Sequence, residues 1–350
     1  MYTHPDFNAH ELVTWIQDPQ TGLRAVIAVH STALGPGMGG CRLWTYPDAA
    51  AGLTDVLRLS RGMSLKNAMA DLALGGGKAV IFGPLPEGAE ARREAFRAFG
   101  RAVEGLGGKY VTAEDVGVSV ADMEAVAVET RHVSGLPPAG GAVGGDPSPY
   151  TARGVLRGIE AAVAKRLGRT DLDGLRVAVQ GTGNVGGALC RMLAERGADL
   201  VIAEANIARR DALAVELNAE VVEGDAILTA EADVFAPCAL GGVLTAQTVA
   251  GLKAKVIAGA ANNQLADEAA GHALAARGIT YVPDYVLNAG GIIAVGAEYL
   301  GDKTRDQVMT AVDAIGPRVA ELLARAEAEG QRTDLLADRM AMERIAAARG

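Results

Sequence analysis

Between residues 175 and 283 the chain repeats one rhythm, a short apolar run followed by a turn and an amphipathic stretch. The runs read as strands at 175–180, 199–203, 219–222, 232–236, 255–259 and 279–283. Helical spacing falls at 184–196, 207–217 and 265–277, with a helix at 150–166 leading in. Strands that are apolar without alternation are buried on both faces, which predicts a parallel sheet covered by helices on each side. The first strand, Arg176-Val-Ala-Val-Gln180, runs into Gly181-Thr182-Gly183-Asn184-Val185-Gly186 at the start of a helix. Glycines spaced G-x-G-x-x-G permit a tight turn and let backbone N–H groups approach a pyrophosphate at the helix N-terminus, where the dipole favours negative charge. The next strand ends on Glu204. A carboxylate there would accept adenosine ribose hydroxyls and repel a 2′-phosphate, so NAD is expected over NADP. Arg209 and Arg210, close in sequence, could soften that exclusion.

The first half also alternates strand and helix patterns: strand 22–30, a helix over about 50–71, strand 78–82, a helix around 88–105, strand 110–115 and a helix near 119–129. The stretch 134–149 is too rich in Gly and Pro for a regular element to run through it, and it reads as an inter-domain hinge. Two long helices, roughly 304–329 and 332–349, close the sequence. At 350 residues two domains are expected. The fold class is α/β, with an N-terminal α/β catalytic domain of residues 1–135 and a Rossmann dinucleotide-binding domain of residues 136–329. The catalytic cleft is expected between them.

Composition excludes several functions. A net charge of −9 and 4% aromatic residues disfavour a nucleic-acid surface or an anionic membrane surface. No apolar run is long enough to span a membrane, and the N-terminus does not read as a signal peptide. Three widely spaced cysteines, Cys41, Cys190 and Cys238, have neither disulfide-framework nor metal-ligand spacing, so a reducing cytoplasm and no metal are expected. The five histidines lie outside every motif and read as solvated or core residues.

Lys66 and Lys78 bracket Asn-Ala-Met-Ala-Asp-Leu-Ala-Leu-Gly-Gly-Gly, a segment built for burial. Burying an ammonium is costly unless it is paired or sheds its proton. The pair therefore reads either as two surface lysines or as a site that holds an anion with one and moves protons with the other. Glu114-Asp115 adds two carboxylates at a strand end. No His or Tyr acid of the kind a hydroxy-acid dehydrogenase needs falls in any of these motifs.

Nine segments in order carry a resemblance: 35–42 (GPGMGGCR), 62–67 (GMSLKN), 74–78 (LGGGK), 112–117 (TAEDVG), 146–149 (DPSP), 181–186 (GTGNVG), 236–241 (APCALG), 258–264 (AGAANNQ) and 283–291 (PDYVLNAGG). Together they resemble the Glu/Leu/Phe/Val dehydrogenase family over nearly the whole chain, closest to its leucine-specific branch. The resemblance implies NAD-dependent oxidative deamination of an L-amino acid to its 2-oxo acid and ammonia. It implies that Lys66 binds the substrate carboxylate, that Lys78 activates water as a base favoured by desolvation, and that Asp115 exchanges protons with the substrate nitrogen. Gly39 and Asn262 would orient the substrate main chain. Arg42, Ser148, Thr151, Ala239 and Leu240 would contact the cofactor, with Asn262 also near the nicotinamide. Asn288 and its glycines read equally well as a helix N-cap. The resemblance also implies that the C-terminal helix, about 330–350, returns to the first domain, and that the protein is a homo-oligomer, dimer or larger.

The side-chain pocket implied by the resemblance is Met38, Ala113, Ile292 and Val295, all apolar. A charged substrate side chain would lose hydration there without a partner. Leucine, valine and isoleucine are the expected substrates, with phenylalanine or tryptophan as the alternative. A dinucleotide-binding sensor without catalysis is the remaining reading, and the three ionisable groups Lys66, Lys78 and Asp115 argue against it.

Overall fold

The computed structural model describes residues 2–137 and 144–349. The chain divides into two compact units, one of residues 1–146, 294–305 and 340–350, the other of residues 147–293 and 306–339. Part of the stretch read as a hinge, residues 138–143, lies outside the described residues.

Among the described residues, the first unit holds six strands: β1 (Leu12–Asp18), β2 (Leu23–Ser31), β3 (Gly37–Met38), β4 (Cys41–Trp44), β5 (Gly75–Phe82) and β6 (Tyr110–Val111). Their order is β1-β2-β5-β3-β6, with β4 also pairing with β5. Its helices are α1 (Ala49–Met69), α2 (Ala89–Glu104) and α3 (Val120–Ala127). Side chains on a strand alternate between faces, and the two cores follow that alternation. Val26, Ala28 and Val80 pack with Val56 and Leu57 of α1. Ala25, Ile27, Ala79 and Ile81 face Phe96 and Phe99 of α2 and Met123 of α3. The strand expected at 22–30 lies in the interior of the sheet. β1 pairs with it antiparallel on one side and β5 on the other, which explains why seven of its nine residues are buried in succession.

Strand β5 also begins earlier than the expected Lys78, because its three glycines are part of it. Gly76 lets α1 lie against the strand, whereas a Cβ on Gly75 would meet Ser31 O and one on Gly77 the Tyr110 ring. A Cβ on Gly76 would collide with the Ser64 backbone nitrogen and hydroxyl and stand 2.5 Å from the carbonyl oxygen of Ser60. The close approach is locked at the helix end, where the Asn67 amide donates to Gly75 O at 2.6 Å.

The second unit carries an all-parallel sheet of β7 (Arg176–Gln180), β8 (Asp199–Ala203), β9 (Glu220–Val221), β10 (Val234–Pro237), β11 (Val256–Ile257) and β12 (Thr280–Tyr281), in the order β12-β11-β10-β7-β8-β9. Helices α4 (Ser148–Leu167), α5 (Asn184–Ala194), α6 (Ile207–Leu217), α7 (Ala246–Gly251), α8 (Glu268–Ala276) and α9 (Asp284–Leu287) connect or flank these strands. The order reverses between β7 and β10, and in open α/β sheets ligands bind beyond the strand ends at that switch point. The loops that follow β7 and β10 are the ones carrying Gly181 and Ala239.

The chain continues through α10 (Gly290–Leu300), α11 (Arg305–Asp313), α12 (Ile315–Glu329) and α13 (Thr333–Ala347). The single helix expected over 304–329 is therefore two. The second restarts so that Pro317 occupies its first turn, where a missing N–H costs no helical bond. Residues from the end of the sequence belong to the first unit. Arg344 donates to Ala68 O at 2.9 Å and to Asp71 Oδ1 at 2.7 Å, tying the end of α1 to the C-terminal helix. No described helix is long and apolar enough to cross a membrane.

Candidate active site

In the first unit, Lys78 projects from the middle of β5 with only 8% of its side chain exposed, and its Nζ lies 3.0 Å from Asp115 Oδ2. Asp115 follows β6 on an extended segment that backbone bonds tie to residues 39–43. Gly39 N–H donates to Val111 O at 3.2 Å, Cys41 N–H to Ala113 O at 2.9 Å, and Leu43 N–H to Val116 O at 3.0 Å. That ladder sets Arg42 beside Asp115, and Arg42 Nε donates to the same Oδ2 at 3.0 Å. Burial alone would push the Asp115 carboxyl up, but Lys78 and Arg42 outweigh it and hold the group below the usual carboxylate range. The neighbouring Glu114 is exposed, so the sequence pair of carboxylates divides into one inside and one outside.

Lys66 lies half-buried in the last turn of α1, the turn that Asn67 pins to β5. Met38 is fully buried and Ala113 nearly so. Val295 is half-buried, with its carbonyl accepting the Ser134 hydroxyl at 2.9 Å. The first unit thus brings together Lys78, Asp115 and Arg42 by direct bonds. It also adds two residues that sequence reasoning missed. Arg42 Nη1 donates to Asp55 Oδ2 at 3.0 Å, and the Tyr46 hydroxyl donates to that same oxygen. No local pattern singles out Asp55, since it reads as one more polar position on an amphipathic helix.

In the second unit, the glycine turn has the shape a dinucleotide requires. A Cβ on Gly186 would overlap the Gly181 carbonyl, so α5 can start tight against the turn only with glycine there. A Cβ on Gly183 would meet nothing nearer than 3.8 Å, which leaves open space above the N-terminus of α5. Glu204 accepts from Thr182 N–H at 2.8 Å and from Asn206 N–H at 2.9 Å. Burial pushes its carboxyl up, but those two bonds and Arg209 hold it below its ordinary value, so it is an anion at neutral pH. These residues fit a dinucleotide, with amides for the pyrophosphate and a fixed carboxylate for the ribose.

The other second-unit residues divide. Ser148 is buried at the start of α4, and the Thr151 hydroxyl is spent on Pro147 O at 3.1 Å. Ala239 lies against Gly181, while Leu240 is 82% exposed. Asn262 is oriented by Asn288, whose amide donates to Asn262 Oδ1 at 2.7 Å and to Ala260 O at 3.1 Å. Asn288 lies just after α9 and acts through this bond, and its Oδ1 is buried without a partner among the described residues. Ile292 is half-buried. Among the described residues no group of His, Cys, Asp and Glu could hold a metal.

Residues 10–132 match the model of the Glu/Leu/Phe/Val dehydrogenase dimerisation domain, and residues 140–206 and 201–349 match that of Glutamate/Leucine/Phenylalanine/Valine dehydrogenase. The chain belongs to this family. It is 47% identical to the leucine dehydrogenase of Thermoactinomyces intermedius, over 96% of this chain and 91% of the relative. It is 45% identical to the valine dehydrogenase of Streptomyces virginiae, over 99% and 96%. The crystal structure of L-tryptophan dehydrogenase from Nostoc punctiforme superposes with a TM-score of 0.86 at 39% identity, covering 98% of this chain and 97% of that one. The protein is an amino acid dehydrogenase, an oxidoreductase of a family that uses a nicotinamide dinucleotide.

Proposed function

We propose that this enzyme catalyses the NAD-dependent, reversible oxidative deamination of a branched-chain L-amino acid to its 2-oxo acid and ammonia. The observation that carries the mechanism is the Lys78–Asp115 pair, 3.0 Å apart and largely withdrawn from water. Lys66 binds the substrate carboxylate, a task suited to a compact, fully charged ammonium. Asp115, held ionised, accepts a proton from the substrate ammonium and so frees the nitrogen lone pair. The dinucleotide, when bound, supplies the hydride acceptor. Once Asp115 carries a proton, Lys78 loses its counter-charge and releases its own proton to solvent water. As a neutral amine it then takes a proton from the water that adds to the substrate iminium carbon. Asp115 then returns its proton to the nitrogen and takes up the hydroxyl proton as the C–N bond breaks, so that ammonia leaves and the 2-oxo acid forms.

Support for NAD comes from the Glu204 carboxylate, ionised and fixed by two backbone amides. Support for an aliphatic substrate comes from Met38, Ala113, Ile292 and Val295, together with the 47% and 45% identities to leucine and valine enzymes. An aromatic substrate is the second reading, favoured by the likeness to the tryptophan enzyme. Assembly as a homo-oligomer is supported by the description of the N-terminal family model as a dimerisation domain. NADH formation at alkaline pH, followed with a panel of L-amino acids, D-lactate and L-malate, tests the reading. Leucine, valine and isoleucine should react and the hydroxy acids should not. Silence on every amino acid would point to the sensor. Lys78→Ala should lose about 10²–10⁴-fold in turnover while dinucleotide binding persists.

A further inference from the structure

Asp115 takes both of its cations on one oxygen. Lys78 Nζ and Arg42 Nε each lie 3.0 Å from Oδ2, and among the described residues Oδ1 has no partner. Arg42 is itself fixed from behind, since its Nη1 bonds Asp55 Oδ2 at 3.0 Å and the Tyr46 hydroxyl holds that same oxygen. A rigid fork between two carboxylates fixes direction as well as charge. We propose that Arg42 is a positioning residue: it pins Asp115 through Oδ2 so that Oδ1 is the atom that exchanges the proton with the substrate nitrogen. This rests on the reading of Asp115 as the proton acceptor and differs from the cofactor contact that family resemblance implies for Arg42.

The two cations are not equivalent. Lys78 gives up its charge during the cycle, whereas a guanidinium keeps its proton throughout. When Lys78 is neutral, Arg42 is the remaining bonded cation beside the carboxylate. It therefore restores Asp115 to the ionised form for the next turnover, and Asp55 with Tyr46 keeps the fork from swinging away.

The test is the pH profile of kcat/KM for the amino acid, with KM for the dinucleotide measured in parallel on folded variants. Arg42→Gln should move the acidic limb up by about one pH unit or more, as expected when a carboxylate loses an adjacent guanidinium. It should cut kcat by at least ~10-fold below that limb and leave the dinucleotide KM within ~2-fold. Arg42→Lys keeps a charge but cannot bridge both carboxylates, so its limb should stay nearer the parent while kcat falls. Should Arg42→Gln not fold, Arg42→Lys and Tyr46→Phe carry the test, each with lowered kcat and unchanged dinucleotide KM. A raised dinucleotide KM with an unmoved limb overturns the proposal in favour of a cofactor contact. Asp115→Asn separates this from the underlying reading: if it keeps parental turnover, Asp115 is not the acceptor. If it is inactive while the Arg42→Gln limb is unmoved, only the positioning role is lost.

Discussion

The packing of α1 on β5 makes Gly76→Ala the most informative single substitution for the first unit. The new methyl would run into the Ser64 nitrogen and hydroxyl and lie 2.5 Å from Ser60 O, and two of those three atoms are helix backbone that cannot rotate aside. Overpacking of a core costs about 1–3 kcal/mol, and a collision with backbone belongs at the upper end. Lifting α1 also strains the 2.8 Å bond between Ser64 and His30, adding about 1 kcal/mol. The sum, about 4 kcal/mol, is a large share of a domain's net stability. Both tryptophans of the chain, Trp15 and Trp44, belong to the first unit, so their fluorescence during urea unfolding reports that unit directly. With a slope of about 2 kcal/mol per M, the midpoint should fall by about 2 M. The surviving folded enzyme should show a raised KM for the amino acid, since α1 carries Lys66. Gly62, in the same helix, provides the control. A Cβ there meets nothing within 4 Å, so Gly62→Ala should stabilise by about 0.5–1 kcal/mol. A Gly76→Ala midpoint within about 0.5 M of the parent would refute the close-packing argument.

Replacing Glu204 with Ser should weaken NAD relative to NADP in steady-state kinetics, and an unchanged ratio would remove the ribose role. Acid should weaken the first unit through His30. Burial first, then His10, Arg61 and Arg349, lower its pKa to about 4, with Glu11 opposing. The folded value lies below the ordinary 6.5, so the neutral form stabilises the fold above about 6.5 and that contribution is lost as pH falls toward 4. The full window is worth at most about 3 kcal/mol. Urea midpoints at pH 7.5 and 5 should differ less in His30→Gln than in the parent, and equal differences would refute the assignment.

The sequence rhythm and the sheet it implies agree in the second unit because its parallel strands are buried on both faces, as in Leu200, Val201 and Ile202 of β8. The first unit was harder to read. Strands such as Gly37–Met38 are too short and glycine-rich to show a period, and β1 carries no turn signal that separates it from the preceding chain. The lysine pair and the Glu114–Asp115 carboxylates stand out by chemistry, and the choice of Asp115 between them comes from the family resemblance. The bonds between Arg42, Asp115 and Asp55 span 73 and 13 residues, and no pattern along the chain encodes a meeting of that kind. The break between α11 and α12 did have a local marker in Gly316-Pro317.

The order in which the chain is made bears on how it folds. Residues 340–349 supply Arg344 to the end of α1 and Arg349 to the Ser31 hydroxyl, and they are synthesised after the whole of the second unit. On the ribosome, the first unit is thus completed only after the second has been made. Without residues 340–349, the last turn of the helix that bears Lys66 would lose its bonds to Arg344.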